Sequence, residues 1–283
     1  MNDRYRGIFV TDLDGTLLRD GRITEGDLRA FRSLGDQGIM RVVATGRSLH
    51  SAKACLADDF PAEYLILSTG NQIVEWSTQK VMRSSFLSGL EVLEICHFLH
   101  GHGLSFMVHE EFPHSHRFEY HRGHKSVADF DRRLALYADH CQEKAGCPDM
   151  RRAASQIVVI VDGSDAAMHD RINRELGNLS VIRATSPLDG QSVWIEIFAA
   201  NVSKASGIMH LVNHHDLQGA PIAAIGNDHN DRDMLEFVQM PFKVADAFLD
   251  DEEKYITTPE KSDAVAFAIA HYMETFHAGM TDA

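Results

Sequence analysis

The sequence predicts an α/β fold: a doubly wound parallel core sheet into which an α+β region is inserted. Three observations predict it. Short apolar runs alternate with helical periodicities near both ends of the chain, the pattern of parallel strands joined by crossover helices. The alternation breaks between about residues 83 and 199. Polar clusters directly follow several of the apolar runs, and in open α/β sheets ligands bind beyond the carboxyl ends of the strands. We therefore divide the chain into a core, 1–82 and 200–283, and an insertion, 83–199.

In the core, Ile8–Val10 is a short β-branched and aromatic run that suits a buried strand. Thr24 is the expected N-cap of the next helix, with Asp27 three residues on. Leu28, Phe31 and Leu34 mark its apolar face, and Gly35 or Gly38 ends it. Ile39–Ala44 is the second strand, a helix follows to about Leu56, and Tyr64–Leu67 is the third strand. In the insertion we expect helices at Leu90–His100, Val127–Glu143 and Ala166–Leu176. Strands are expected at Leu104–Val108, Arg117–His121, Gln156–Val161, Val181–Ala184 and Ser192–Phe198. Alternation then resumes with a helix from Lys204, a strand Pro221–Ile225, a helix through Met234 and Leu235, short elements at Phe242–Val244 and Tyr255–Ile256, and a closing helix Ala264–Phe276.

Composition narrows the function. The 283 residues are 44% apolar and 24% charged, ordinary for a soluble globular chain. A net charge of −14 argues against nonspecific nucleic-acid binding, which neutralises phosphates with basic patches. No apolar run approaches the ~20 residues of a membrane span, and Met1–Arg6 lacks the apolar stretch of a signal peptide. Cys55, Cys96, Cys141 and Cys147 form no Cys-x-x-Cys pair and read as reduced thiols of a cytoplasmic protein.

The chemistry lies in four clusters. Asp12 and Asp14 end the first strand in Asp-Leu-Asp-Gly-Thr. Two carboxylates so placed repel each other and resist burial. A bound divalent cation offsets both penalties, and oxygen donors suit Mg²⁺. Thr45-Gly46-Arg47 follows the second strand, Lys204 opens a helix, and Gly226-Asn227-Asp228-His229-Asn230-Asp231 follows a later strand. Singly they read as a turn, a helix cap, a surface lysine and a capped turn. Together they supply what phosphoryl transfer needs: a nucleophile, charge neutralisation, donors for the phosphoryl oxygens and an acid for the leaving group. Asp12 is placed to attack, Asp14 to protonate the leaving oxygen and then activate water, Thr45 to donate to the phosphoryl group, Lys204 to add positive charge, and Asn227 to Asp231 to complete a metal shell.

That order of motifs resembles the haloacid-dehalogenase-like (HAD) phosphatases, in their Cof-like class IIB branch. The resemblance covers essentially the whole chain and includes the ending Lys254–Ile269. It implies a Rossmann-like core and an α+β cap that closes over the site. It also implies a Mg²⁺-dependent phosphatase acting on a small phosphorylated metabolite, a sugar phosphate, through an aspartyl phosphate. By motif, Asp12 is the nucleophile and a metal ligand, and Asp14 is the general acid/base and lends its backbone carbonyl to the metal. Thr45, with Gly46 and Arg47, binds phosphate. Lys204 steadies the nucleophile, Asp231 orients Lys204, and Asn230 faces the substrate. Three positions depart from the family pattern: Asn227 where Asp follows the glycine, Ala205 after Lys204, and Thr69-Gly70-Asn71 in place of Asn-Gly-Ala. We expect Asn227 as the inner metal ligand with Asp228 behind it. A phosphomutase and a non-catalytic phosphometabolite-binding protein are the rival readings. The insertion's His109, His114, His116, His121 and His124 could hold zinc, but their irregular spacing favours a polar hairpin facing solvent or the cleft. Phe98, Leu99 and Phe106 are expected in the insertion's core.

Overall fold

The structure is a computed structural model that describes residues 5–125, 127–145, 152–249 and 253–281; Met1–Arg4 and Cys147 lie outside them. The chain falls into two compact units. Met1–Arg47, Lys53–Arg83 and Ser203–Ala283 form the first, and Ser48–Ala52 with Ser84–Val202 the second. In chain order the elements are β1 (Gly7–Thr11), α1 (Glu25–Asp36), β2 (Ile39–Ala44), α2 (Leu49–Lys53), β3 (Tyr64–Leu67), β4 (Gln72–Glu75) and β5 (Lys80–Ser84). Then come α3 (Gly89–Gly101), β6 (Phe106–His109), β7 (Phe118–His121), α4 (Ala128–Leu136), β8 (Cys141–Glu143), β9 (Gln156–Val161), α5 (Ala167–Glu175), β10 (Ser180–Thr185) and β11 (Val193–Phe198). Last are α6 (Lys204–His214), β12 (Ile222–Gly226), α7 (Arg232–Phe237), β13 (Met240–Lys243), β14 (Ile256–Thr257) and α8 (Ala264–Thr281).

The first unit holds a sheet ordered β14-β13-β12-β1-β2-β3-β4-β5. Pairing is parallel from β14 through β3. Burial on both faces explains why β1 and β2 read as nearly continuous apolar runs. On one face Ile8, Val10, Met40, Val42 and Ala224 pack against Ile208, Leu211 and Val212 of α6 and Met234 and Leu235 of α7. On the other, Phe9 lies 5.9 Å from the Tyr272 ring of α8. The Tyr272 hydroxyl donates to the Pro221 carbonyl at 3.0 Å. Thr24 caps α1 as expected, accepting from the Asp27 N–H at 3.0 Å. The Asp27 carboxylate accepts from Ala266 N of α8 at 2.7 Å. The sheet is not wholly parallel: β4 runs antiparallel to β3 and β5 lies at the edge, two strands beyond those expected. The strand order reverses about β1, with β2 and β3 to one side and β12 to β14 to the other. The carboxyl end of β1 is thus the switch point at which such sheets bind ligands.

The second unit is α+β. Its sheet runs β10-β11-β9-β6-β7-β8, antiparallel except for the parallel β7–β8 pair. One face packs on Val92, Ile95 and Leu99 of α3 and Ile172 of α5. The other packs on Phe130 and Leu134 of α4. Leu99 and Phe106 are buried in this core, with Phe98 packed against it. The expected helix Val127–Glu143 is corrected: α4 stops at Leu136, and Cys141–Glu143 becomes a strand paired with Phe118–Tyr120. Cys55, Cys96 and Cys141 are not joined to one another by disulfides. No helix among the described residues is long and apolar enough to cross a membrane.

His109 is another correction, because its ring is buried and not turned to solvent. Its Nδ1 lies 2.8 Å from the Ser115 carbonyl oxygen and its Nε2 3.4 Å from the Arg133 guanidinium. A neutral ring satisfies both contacts, donating from Nδ1 and accepting at Nε2. Burial first, then Arg133, pushes its pKa down to about 3. The unfolded chain therefore takes up a proton near pH 6.5 that the folded chain refuses. The resulting stability is full above pH 6.5 and is lost as pH falls toward 3. Between pH 6.5 and 5 His109 should remove about 2 kcal/mol. Urea melts across that range should show the loss in wild type and a shallower slope in His109→Gln; equal slopes would refute the account. No group of three or more His, Cys, Asp or Glu side chains among the described residues is disposed to hold a metal ion.

Candidate active site

Adjacent strands of the first unit deliver the polar clusters. Asp12 follows β1, Thr45 follows β2 and Asn227 follows β12, so all three leave the sheet at one edge. The Asp12 N–H still donates to Ile225 O at 2.9 Å and the Thr45 N–H to Ile66 O at 2.8 Å. Both side chains are therefore anchored by ladder bonds one residue past their strands. Lys204, at the start of α6, is completely buried. Its Nζ donates to Asp12 Oδ1 at 2.6 Å and to Asp231 Oδ1 at 2.6 Å. The other Asp231 oxygen accepts from the N–H groups of Asn227 at 2.9 Å and Asp228 at 3.0 Å. Asp231 thus fixes both Lys204 and the turn that carries Asn227.

The electrostatics follow from burial. Burial, with Asp231 nearby, pushes the Asp12 carboxyl up to about 8 against the pull of Lys204. Burial also works to lower the Lys204 pKa, but Asp12 and Asp231 outweigh it and hold the ammonium above its usual range. Two carboxylates therefore share one ammonium in a dry setting, and further positive charge beside Asp12 would bring its pKa back down. The oxygens able to hold such charge are present. One end of the Asn227 amide lies 3.2 Å from Asp12 Oδ2 and 3.1 Å from the Asp14 carbonyl oxygen. Neighbouring ligand oxygens around a six-coordinate Mg²⁺ with bonds of 2.0–2.1 Å lie about 2.9 Å apart. A carboxylate, a carbonyl and an amide at this spacing fit one small hard cation.

Other predicted residues have different surroundings. The Arg47 guanidinium forks onto the Asp14 carboxylate, Nε to Oδ2 at 2.7 Å and a terminal nitrogen to Oδ1 at 2.7 Å. The Asp14 carboxyl is thus aimed at Arg47 while its carbonyl faces Asn227. Thr45 is buried, and its hydroxyl accepts from the Arg47 N–H at 3.1 Å, with Gly46 at the turn between them. The Asp228 side chain caps the turn His229–Asp231 by accepting from the Asp231 N–H. Asn230 lies within that turn, half-buried.

Two features gain a role that the sequence reading did not give them. The Thr16 hydroxyl lies 3.2 Å from the Asn227 amide; its place in the Asp-Leu-Asp-Gly-Thr motif was the available signal. The second is the turn Ser68–Gly70, in which Ser68 (φ 44°), Thr69 (φ 54°) and Gly70 (φ 105°) are all left-handed. The Ser68 N–H donates to Arg47 O at 2.9 Å and the Thr69 N–H to Thr45 O at 3.0 Å. A Cβ on Gly70 would lie 2.0 Å from the Ser203 carbonyl oxygen, next to Lys204. The turn therefore buttresses both the Thr45–Arg47 segment and the start of α6. Gly70→Ala should cost about 3 kcal/mol of stability through positive φ and backbone collision. A urea midpoint equal to wild type would show that the turn has room to yield.

Known proteins resemble this chain over most of its length. Residues 9–269 match the model of the haloacid dehalogenase-like hydrolase family, and the chain belongs to that family. A Streptococcus pyogenes serotype M6 protein, whose name provisionally assigns it as a phosphatase, is 23% identical over 94% of this chain and 98% of its own. Among solved structures, the HAD subclass IIB sugar phosphatase BT4131 superposes with a TM-score of 0.72 at 17% identity, covering 94% of this chain and 98% of its own. BT1666 from Bacteroides thetaiotaomicron, described among HAD phosphatases, gives 0.73 at 17% identity, with 95% and 96% covered. These likenesses carry the fold.

Proposed function

We propose that the protein is a Mg²⁺-dependent phosphatase that hydrolyses a small phosphorylated metabolite, a sugar phosphate, through an aspartyl phosphate on Asp12. The observation that supports this most is the buried Lys204, bonded at 2.6 Å to both Asp12 and Asp231 at the switch point of the sheet. In the first step an Asp12 carboxylate oxygen attacks phosphorus, the bond to the leaving oxygen breaks, and Asp14 gives that oxygen its proton. In the second, water attacks phosphorus, passes a proton to Asp14, and the Asp12–phosphorus bond breaks. Arg47 positions Asp14, and Thr45 donates its hydroxyl to the phosphoryl group. Lys204 holds the nucleophile and offsets charge, Asp231 keeps Lys204 in place, and Asn230 faces the substrate. Asp12, the Asp14 carbonyl and Asn227 would hold Mg²⁺, with Asp228 behind them. When bound, the ion neutralises phosphoryl charge. We assign the first unit as the catalytic core and the second as the substrate-selecting insertion of the family.

A panel of phosphorylated metabolites assayed with Mg²⁺ for free phosphate tests the proposal. Release from sugar phosphates is expected. Transfer of the phosphoryl group to a second position without free phosphate would replace it with a mutase, and binding without any turnover would overturn it.

A further inference from the structure

The feature that separates this chain from its family's pattern is the amide of Asn227. One end of that amide lies 3.1 Å from the Asp14 carbonyl oxygen, 3.2 Å from Asp12 Oδ2 and 3.2 Å from Thr16 Oγ1. An oxygen at that end faces two atoms that cannot donate to it. A nitrogen there donates to both, with the Thr16 hydroxyl as a third neighbour. With the oxygen there, the Thr16 hydroxyl donates to it at 3.2 Å; rotation about the last side-chain torsion exchanges the two ends without moving the backbone. The Asn227 N–H donates to Asp231 Oδ2 at 2.9 Å, and its carbonyl accepts from the Phe248 N–H at 2.7 Å. On the motif side, Gly15 (φ 78°) has no side chain, and a Cβ there would come 2.5 Å from the amide.

We propose that Asn227 is a two-state ligand that stands in for the cation. With its NH₂ inward it bridges Asp12 Oδ2 and the Asp14 carbonyl and keeps the cation-free site satisfied. With its oxygen inward it becomes a ligand. The inference rests on the cation site assigned above and adds how that site survives without its ion. A carboxylate at position 227 could do only the second. It would put a second acceptor-only oxygen about 3.2 Å from Asp12 Oδ2, as far as the amide end now lies, with Lys204 already shared by Asp12 and Asp231. The amide therefore exchanges cation affinity for tolerance of cation loss.

Thermal melts in EDTA and in Mg²⁺, with calorimetric titration of Mg²⁺ alone, test this without any turnover. Asn227→Asp should melt lower than wild type in EDTA by on the order of 5 °C. It should bind Mg²⁺ tighter by on the order of tenfold and show the larger Mg²⁺-induced rise in Tm. Asn227→Ala, which has neither donor nor ligand, should also melt below wild type in EDTA but gain little from Mg²⁺. The inference is overturned if Asn227→Asp melts at or above wild type in EDTA or binds Mg²⁺ no tighter. Should Asn227→Asp fail to fold in either condition by far-UV circular dichroism, Asn227→Ala decides, and a melt in EDTA equal to wild type refutes the stand-in. Wild type that binds no Mg²⁺ sinks the cation site itself, whereas Mg²⁺ binding with unchanged EDTA melts sinks only the two-state amide.

Discussion

Asp12→Asn is expected to lower phosphate release by about 10⁴-fold or more while the chain stays folded. The activity loss follows from removing the carboxylate that bonds Lys204 and lies beside the Asn227 amide. The stability forecast follows from burial. The Asp12 carboxyl is already pushed up to about 8, mainly because its surroundings are dry and then because Asp231 is near. An amide of the same shape removes that conflict and leaves Lys204 paired with Asp231. The melting temperature should therefore be unchanged or higher. Phosphate release within tenfold of wild type would remove Asp12 from the nucleophile's role. A collapse in stability would mean that the carboxylate is structural.

Lys204→Met should damage both properties. Nothing else in the described site bonds Asp12 and Asp231 together, and Lys204 is wholly buried. Without the ammonium, two carboxylates remain in a dry site, and breaking a buried pair in this way costs about 3–5 kcal/mol. Activity should fall by about 10²-fold or more, since the nucleophile loses its orienting partner and the phosphoryl group its fixed positive charge. The stability loss has a pH signature. Losing Lys204 raises the Asp12 pKa beyond its present value of about 8, so the folded variant binds a proton that wild type and the unfolded chain have released. Its deficit against wild type should then shrink as pH falls from about 9 to 7. Urea denaturation at the two pH values reads this directly. A deficit that is equal at both would show that the loss is one of packing alone.

How far the sequence could be read depended on whether burial left a compositional trace. Ile8–Val10, Ile39–Ala44 and Tyr64–Leu67 are buried on both faces, so they appear as apolar runs. β4 and β5 carry Gln72, Glu75, Lys80 and Arg83 and leave no such run, though Gln72 is fully buried. The end of α4 was illegible for another reason. Phe130, Leu134, Tyr137 and Cys141 continue a helical spacing, and no Gly or Pro interrupts it. Only pairing with β7 turns Cys141–Glu143 into a strand, and that is a tertiary effect. At the site, Asp12 stood out as a carboxylate ending a buried strand, whereas Lys204 alone read as a surface lysine and its pairing with Asp12 and Asp231 came only from the resemblance to the family's motifs. The fork of Arg47 onto Asp14 and the orientation of the Asn227 amide depend on side-chain torsions, which spacing does not encode.

The pairing of β1 with β12 has a consequence for synthesis on the ribosome. β1 is made long before β12, one of its two sheet neighbours, and Asp12 meets Lys204 across 192 positions. The central strand of the first unit therefore waits with an open edge while the intervening residues are translated. Residues 84–202 form nearly all of the second unit without interruption, and among the described residues β6 to β11 pair only with one another. They are complete before β12 exists. The nascent chain should gain protease resistance first in that middle stretch. The first unit should follow only after β12 to β14 have emerged, slowed by the loop that must close to join β1 and β12.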